Sequence, residues 1–186
     1  MAPSAAFDLA LRIRRDSAPI GEVMSFLSAL YFRGKLTYAQ RFATPPTGCT
    51  GVLVITPDRG LVSPETVIGF DDVHAFGRVP IDAGEPRYVA PFRAAAKCLR
   101  RRLPANAEIV LLGSIATPKY VDVLLAVFGS SLLFPVDFVG RGDMSRGGLL
   151  LRAARSGVQL EYHAIDGAKR RGHRPSKLPA PSGPSS

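Results

Sequence analysis

Residues 108–157 read EIVLLGSIATPKYVDVLLAVFGSSLLFPVDFVGRGDMSRGGLLLRAARSG, and the punctuation of this stretch decides the fold. Its first six residues, Glu108 to Gly113, are apolar on both faces, the pattern of a strand covered on two sides. Pro118 suits the first turn of a helix, and Val121, Val123, Leu124, Leu125, Val127 and Phe128 surround that helix, which is therefore read as buried. LLFPVDF (132–138) is the next strand, with Pro135 marking an irregular or edge position. A glycine-rich polar loop, VGRGDMSRGG, leads into a helix over residues 145–155 that Gly157 stops. Strand, loop, helix, strand, loop, helix is the grammar of a layered α/β domain, here with a short, mostly parallel central sheet.

Outward toward the C-terminus, VQLEYHAI (158–165) alternates apolar and polar residues as a half-exposed strand does. GAKRRGHRPSKLPAPSGPSS (167–186) is rich in Pro, Gly and Ser and is expected to be a flexible tail on a single domain spanning 1–166. Toward the N-terminus, residues 87–103 form an alanine-rich helix whose terminal Arg100, Arg101 and Arg102 suit the helix dipole. GVLVITP (51–57) reads as a buried strand and DRG as a tight turn after it. LVSPETVIGF is extended, and DDVHAFGRV holds a helical turn. Residues 20–42 carry a helical stripe at positions 23, 26, 27, 30 and 31, with a break or bend expected at Gly34. Residues 6–15 fit a short amphipathic helix.

At 186 residues, with 46% hydrophobic residues and a mean hydropathy of +0.12, the chain can bury one real core. It has no apolar run of about 18 residues and no signal-peptide core, so a soluble, cytoplasmic protein without a membrane partner is expected. Cys49 and Cys98 lie far from each other and from ligand spacing with His74, His163 or His173, so no metal is expected through these side chains and no cofactor is implied. The net charge is +9 and the pI near 10.2, a balance that invites DNA, RNA or a nucleotide as partner. Lys169, Arg170, Arg171, Arg174 and Lys177 place five of those charges on the tail, where they can grip a phosphate backbone. Arg33 and Lys35, interleaved with Tyr31, Phe32 and Tyr38, form a second candidate nucleic-acid patch. Its competing reading is a helix with aromatics in the core and charges in water.

Ligands of open α/β sheets bind beyond the carboxyl ends of parallel strands. With three parallel strands, three loops would meet there: TPDRG, GSIATPK and VGRGDMSRGG. They offer Asp58, Arg59, Ser114, Thr117, Lys119, Gly140, Arg141, Gly142, Asp143, Ser145 and Arg146. In the third loop the glycines permit close approach to a phosphate, Asp143 or Ser145 can cap the next helix, and Arg141 and Arg146 would flank the anion. The loop departs from both standard phosphate motifs. A dinucleotide fingerprint starting at Gly140 meets Ser145, and a P-loop starting at Gly142 meets Gly148 and Leu149 in place of Lys and Ser/Thr. Turn and cap chemistry accounts for the same residues without a ligand. The expected function is thus a nucleic-acid- or nucleotide-binding domain whose loop at 140–148 holds phosphate. The alternatives are an enzyme with Asp143 or Asp58 as acid or base, and an interaction domain with no small ligand.

The order GVLVITPDRGLVSP, then EIVLLGSIATPKYVDVLLAVFG, then a strand containing Phe134-Pro135, resembles small α/β domains of bacterial and phage genomes. More distantly it resembles the uracil-DNA glycosylase-like fold, over residues 30–155. The resemblance implies a three-layer α/β/α sandwich and an association with nucleobases or nucleic acid. The Gly-x-Asp-Pro-Tyr-type and His-Pro-Ser-type loops of that family are absent: Pro57 precedes Asp58, and no histidine is followed by proline.

Overall fold

The computed structural model describes residue 9, residues 11–13, residue 15, residues 17–173 and residue 175; of the helix expected over 6–15, residues 9, 11–13 and 15 are helical and the rest lie outside the described residues. A two-residue strand β1 (Ala18–Pro19) leads directly into α1 (Ile20–Leu27). Then α2 (Ala29–Phe42) follows after Ser28, whose φ of −102° and ψ of 10° turn the chain. The break in the expected 20–42 helix therefore lies at Ser28 and not at Gly34. The two halves bury their centres in different cores, although Phe32 of α2 still reaches the first. Ile20 and Val23 of α1 pack with Leu9, Ala18, Val54 and Ile68, whereas Tyr38 of α2 packs with Phe138, Leu150 and Ala153.

Val54–Thr56 (β2) and Gly60–Val62 (β3) form an antiparallel hairpin in the register Val54↔Val62, Ile55↔Leu61, Thr56↔Gly60. Only Pro57, Asp58 and Arg59 separate the strands, too few for a parallel crossover, which needs a dozen or more residues. The Thr56 hydroxyl closes the turn: it donates to the Gly60 carbonyl at 2.9 Å and accepts from the Arg59 N–H at 3.3 Å. β4 (Val67–Ile68) pairs antiparallel with β1. Two helices come next, α3 (Phe70–Gly77) and α4 (Pro86–Arg102). The latter starts on Pro86, with the Glu85 carboxylate accepting from the Arg87 N–H at 3.0 Å.

The central unit comprises β5 (Ile109–Val110), α5 (Pro118–Phe128), β6 (Leu132–Pro135), a 3-10 turn at Val136–Phe138, α6 (Asp143–Ser156) and β7 (Tyr162–Ala164). Its sheet has the order β5-β6-β7, parallel between β5 and β6 and antiparallel between β6 and β7. The chain is thus a mixed α/β protein in which helix (about 51%) outweighs strand (about 12%). Among the described residues the strands form three small sheets, and β5–β6 is their one parallel pair. The expected mostly parallel sheet shrinks because the 51–57 strand is consumed by its hairpin and VQLEYHAI returns antiparallel.

Leu132 and Phe134, two residues apart on β6, enter a core with Tyr88, Phe92 and Ala96 of α4 and Val121, Val123, Leu124 and Phe128 of α5. Leu112, Phe138 and Tyr162 join the cluster built by α2 and α6. Helices therefore contribute to both clusters that include residues of this sheet. No helix among the described residues is long and apolar enough to cross a membrane.

Candidate functional site

The most extensive helix–helix contact joins α2 and α6. A Cβ added at Gly34 would meet the Gly147 carbonyl oxygen at 2.8 Å, and one added at Gly147 would meet the Leu30 carbonyl oxygen at 3.0 Å. Backbones can approach this closely only where both side chains are missing. Farther along, Thr37, Gln40 and Arg41 lie beside Leu151, Ala154 and Arg155, so the two helices run parallel. In this register Tyr31 and Lys35 of α2 stand next to Asp143 and Arg146 in the first turn of α6.

These side chains are tied to the ends of the parallel pair. The Tyr31 hydroxyl donates to the Leu112 carbonyl at 3.3 Å, in the loop that follows β5. Lys35 Nζ lies 4.3 Å from the Tyr31 ring centroid and 5.5 Å from that of Phe32. Arg146 is only 8% exposed. Its Nε donates to the Phe138 carbonyl at 3.3 Å, and its Nη1 reaches an Asp143 carboxylate oxygen at 3.4 Å. Lys119, in the first turn of α5, holds Nζ 5.1 Å from the Tyr120 ring centroid.

The electrostatics follow from this crowding. Burial holds the Lys35 amine below the ordinary lysine range; Asp143 opposes that shift, while Arg146 and Lys119 reinforce it by like-charge repulsion. Burial likewise pushes the Tyr31 hydroxyl up to about 12, against the pull of Arg146 and with help from Asp143 and Tyr120. Three cations thus share a partly desolvated corner with one carboxylate, whose side chain is 68% exposed. The corner lies where the loops from β5 and β6 enter the N-terminal turns of α5 and α6, whose free amides favour anions.

Of the three loops expected to converge, two do. TPDRG is the β2–β3 hairpin turn: Asp58 pairs with Arg59 at 2.9 Å, and Arg59 also bridges to Asp72 at 2.9 Å and lies over the Phe76 ring at 4.9 Å. That network fastens the hairpin to α3. No hydrogen bond or ion pair among the described residues joins Asp58 to Asp143. In place of TPDRG, α2 supplies Tyr31 and Lys35.

Several expected ligand residues have local partners. Ser114 Oγ accepts from the Ala116 N–H at 3.4 Å, and Thr117 is exposed at the start of α5 without capping it. Arg141 donates to the Asp137 carbonyl at 2.9 Å and to Ser145 Oγ at 3.3 Å. Gly142 is the exposed residue before α6. Gly140 adopts a φ of +75°, and the His173 carbonyl oxygen occupies the place of a Cβ there. Backbone packing thus accounts for Gly140 and Gly147 without a phosphate. Arg33, Lys169 and Arg171 are exposed, Arg170 lies 3.9 Å from Asp122, and Arg174 is outside the described residues.

Tyr120 was not among the expected site residues, and Lys35 was assigned to a separate patch. Joining Lys35 to the loops requires knowing that Gly34 touches Gly147, for which the sequence carries no signal. Two open hollows lie elsewhere and contain no residue of the cluster. One, of about 490 Å³, is lined by Thr37, Gln40, Arg41, Leu151, Ala154 and Arg155, and the other, of about 270 Å³, lies around Glu85 and Arg93. Among the described residues no three His, Cys, Asp or Glu side chains gather where a metal ion could sit. No family model, curated protein or solved structure matches this chain.

Proposed function

We propose that the protein binds a phosphate-bearing ligand, a nucleotide or nucleic acid, at the corner formed by Tyr31, Lys35, Lys119 and Arg146. One observation carries this reading: Lys119 and Arg146 both act on the half-buried Lys35 as like charges, and Asp143, largely exposed, is the carboxylate that offsets them there. Like charges so placed raise one another's free energy, and a dianion between them would relieve it. The helices on both sides of β5-β6-β7 are read, on this proposal, as a reduced α/β/α sandwich with its ligand end at the parallel pair.

Titration of the protein with inorganic phosphate and with a mononucleotide, followed by calorimetry, tests the reading. Lys35→Gln with Lys119→Gln is expected to weaken binding about tenfold or more, because a hydrogen bond to a charged group contributes about 1.5–3 kcal/mol. Equal affinity in wild type and double variant would sink it.

A second reading, turnover of the bound nucleotide, draws on the exposed carboxylate of Asp143 at the edge of the cluster. Asp143→Asn would then abolish turnover while leaving binding intact or tighter. If Asp143 only balances charge, the same variant binds more tightly and there is no turnover to lose.

A further inference from the structure

The chain after β7 does not leave the molecule at once. Ala168 packs against the core shared by α4 and α5. Arg170 comes within 3.9 Å of Asp122, one helical turn from Lys119 on α5. A Cβ at Gly172 would meet the Val139 side chain at 2.7 Å, and the His173 carbonyl presses on Gly140. Residues 168–173 therefore run from the first turns of α5 to the loop that delivers Arg141, Asp143 and Arg146. This is the same end of the sheet that carries the cation cluster. Residues 167–186 include no acid, and Lys169 and Arg171 are exposed. The Arg170–Asp122 pair is long and solvent-exposed, so it holds the guanidinium only weakly.

We infer that Lys169, Arg170 and Arg171 continue the cluster of Lys35, Lys119 and Arg146 into one cationic track, and that its ligand is a polynucleotide strand, not a free nucleotide. The inference rests on the anion-binding reading above and names its ligand class. A mononucleotide carries its phosphate at one end and can occupy the cluster alone. Cations laid out along a path from the α6 N-terminus past α5 match the spaced charges of a phosphodiester backbone, whose binding is driven by counterion release.

The test uses the full chain and three proteins: wild type, Lys35→Gln/Lys119→Gln, and Arg170→Gln/Arg171→Gln. Each is titrated with a fluorescent oligothymidylate across a salt series and, separately, with thymidine monophosphate; unchanged thermal melting verifies folding. Neutralising two phosphate contacts should flatten the slope of log K against log salt by about 1.4 for a single strand. Each double variant is expected to show that flattening with the oligonucleotide. With the monophosphate, only the Lys35/Lys119 variant should weaken.

An unchanged oligonucleotide slope in the Arg170/Arg171 variant would overturn the track while leaving mononucleotide binding at the cluster intact. Oligonucleotide affinity that survives in the Lys35/Lys119 variant and vanishes with Arg170/Arg171 would show the tail acting alone, and also overturn it. Binding to phosphatidylserine vesicles in place of the oligonucleotide would overturn the ligand class. Monophosphate binding indifferent to Lys35 and Lys119 would instead remove the anion-binding reading itself.

Discussion

Gly34 in α2 and Gly147 in α6 touch backbone to backbone: a Cβ on the first would sit 2.8 Å from the carbonyl oxygen of the second. This contact sets the register that places Tyr31 and Lys35 beside Asp143 and Arg146. Gly34→Ala is expected to destabilise the protein, since overpacking costs about 1–3 kcal/mol against a gain of up to about 1 kcal/mol in helix propensity. Gly77→Ala, at the end of α3 with no atom within 4 Å of the new Cβ, should be neutral or stabilising by about 0.5–1 kcal/mol. Urea denaturation of the two variants measures the contrast.

The Tyr38 hydroxyl accepts from the Leu160 N–H at 2.9 Å and shares a 2.6 Å hydrogen bond with the Tyr162 hydroxyl, fastening α2 to the chain entering β7. Tyr38→Phe removes both bonds and leaves the Leu160 donor without its partner. A loss of about 1–3 kcal/mol is expected, measured as a drop in the urea midpoint at unchanged m-value.

Tyr31, Tyr38 and Tyr88 all have hydroxyls raised above the ordinary tyrosine range, chiefly by burial, Tyr31 to about 12. A group whose folded pKa exceeds its unfolded value binds its proton more tightly when folded. The stability it contributes is complete below about pH 10 and declines as pH rises toward and through the folded pKa. Alkaline unfolding, followed by tyrosinate absorbance and circular dichroism together, should show these phenols ionising with the loss of structure.

Asp72 gives the opposite sign. Its carboxylate accepts from the Gly69 N–H at 2.8 Å and from Arg59 at 2.9 Å, and those bonds hold its pKa below the usual carboxylate range. The stabilisation is present above the unfolded value near pH 3.9 and is lost as pH falls through the depressed folded value. Asp72→Ala should cost about 1 kcal/mol at neutral pH through the lost cap of α3. That difference should fade on acidification, which urea titrations at a series of pH values record.

Lys35 reports on the candidate site directly. Lys119→Gln removes a neighbouring cation and should raise the Lys35 pKa toward the ordinary lysine value, whereas Asp143→Asn should lower it further. Saturating inorganic phosphate should raise it in the wild type. An NMR titration of the lysine side chains reads all three shifts, and a Lys35 resonance indifferent to phosphate would place the anion elsewhere.

Much of the local structure is legible in the residues alone. Pro118 starts α5 and the apolar ring from Val121 to Phe128 buries it; Pro86 starts α4; α6 ends on Ser156, just before Gly157. Such signals are short in range, because periodicity and capping depend on residues within a turn or two of each other. The tight turn at DRG was legible in the same way, but the pairing around it was not: the 51–57 strand, expected in a parallel sheet, pairs antiparallel across three residues that leave no room for a crossover.

By itself, then, the sequence determined most of the helices, the mixed α/β character and the basic charge, but not the break at Ser28. The tertiary structure decided which strands pair, that Asp58 and Arg59 fasten a hairpin to α3, and that Gly34 belongs inside a helix. It also decided that Lys35, Lys119 and Arg146 share one corner. The reason is physical: a glycine reads alike in a bend and in a helix crossing until the surface it meets is known. Gly34 and Gly147 are more than a hundred residues apart in the chain, so only the packed α2–α6 pair shows that they touch.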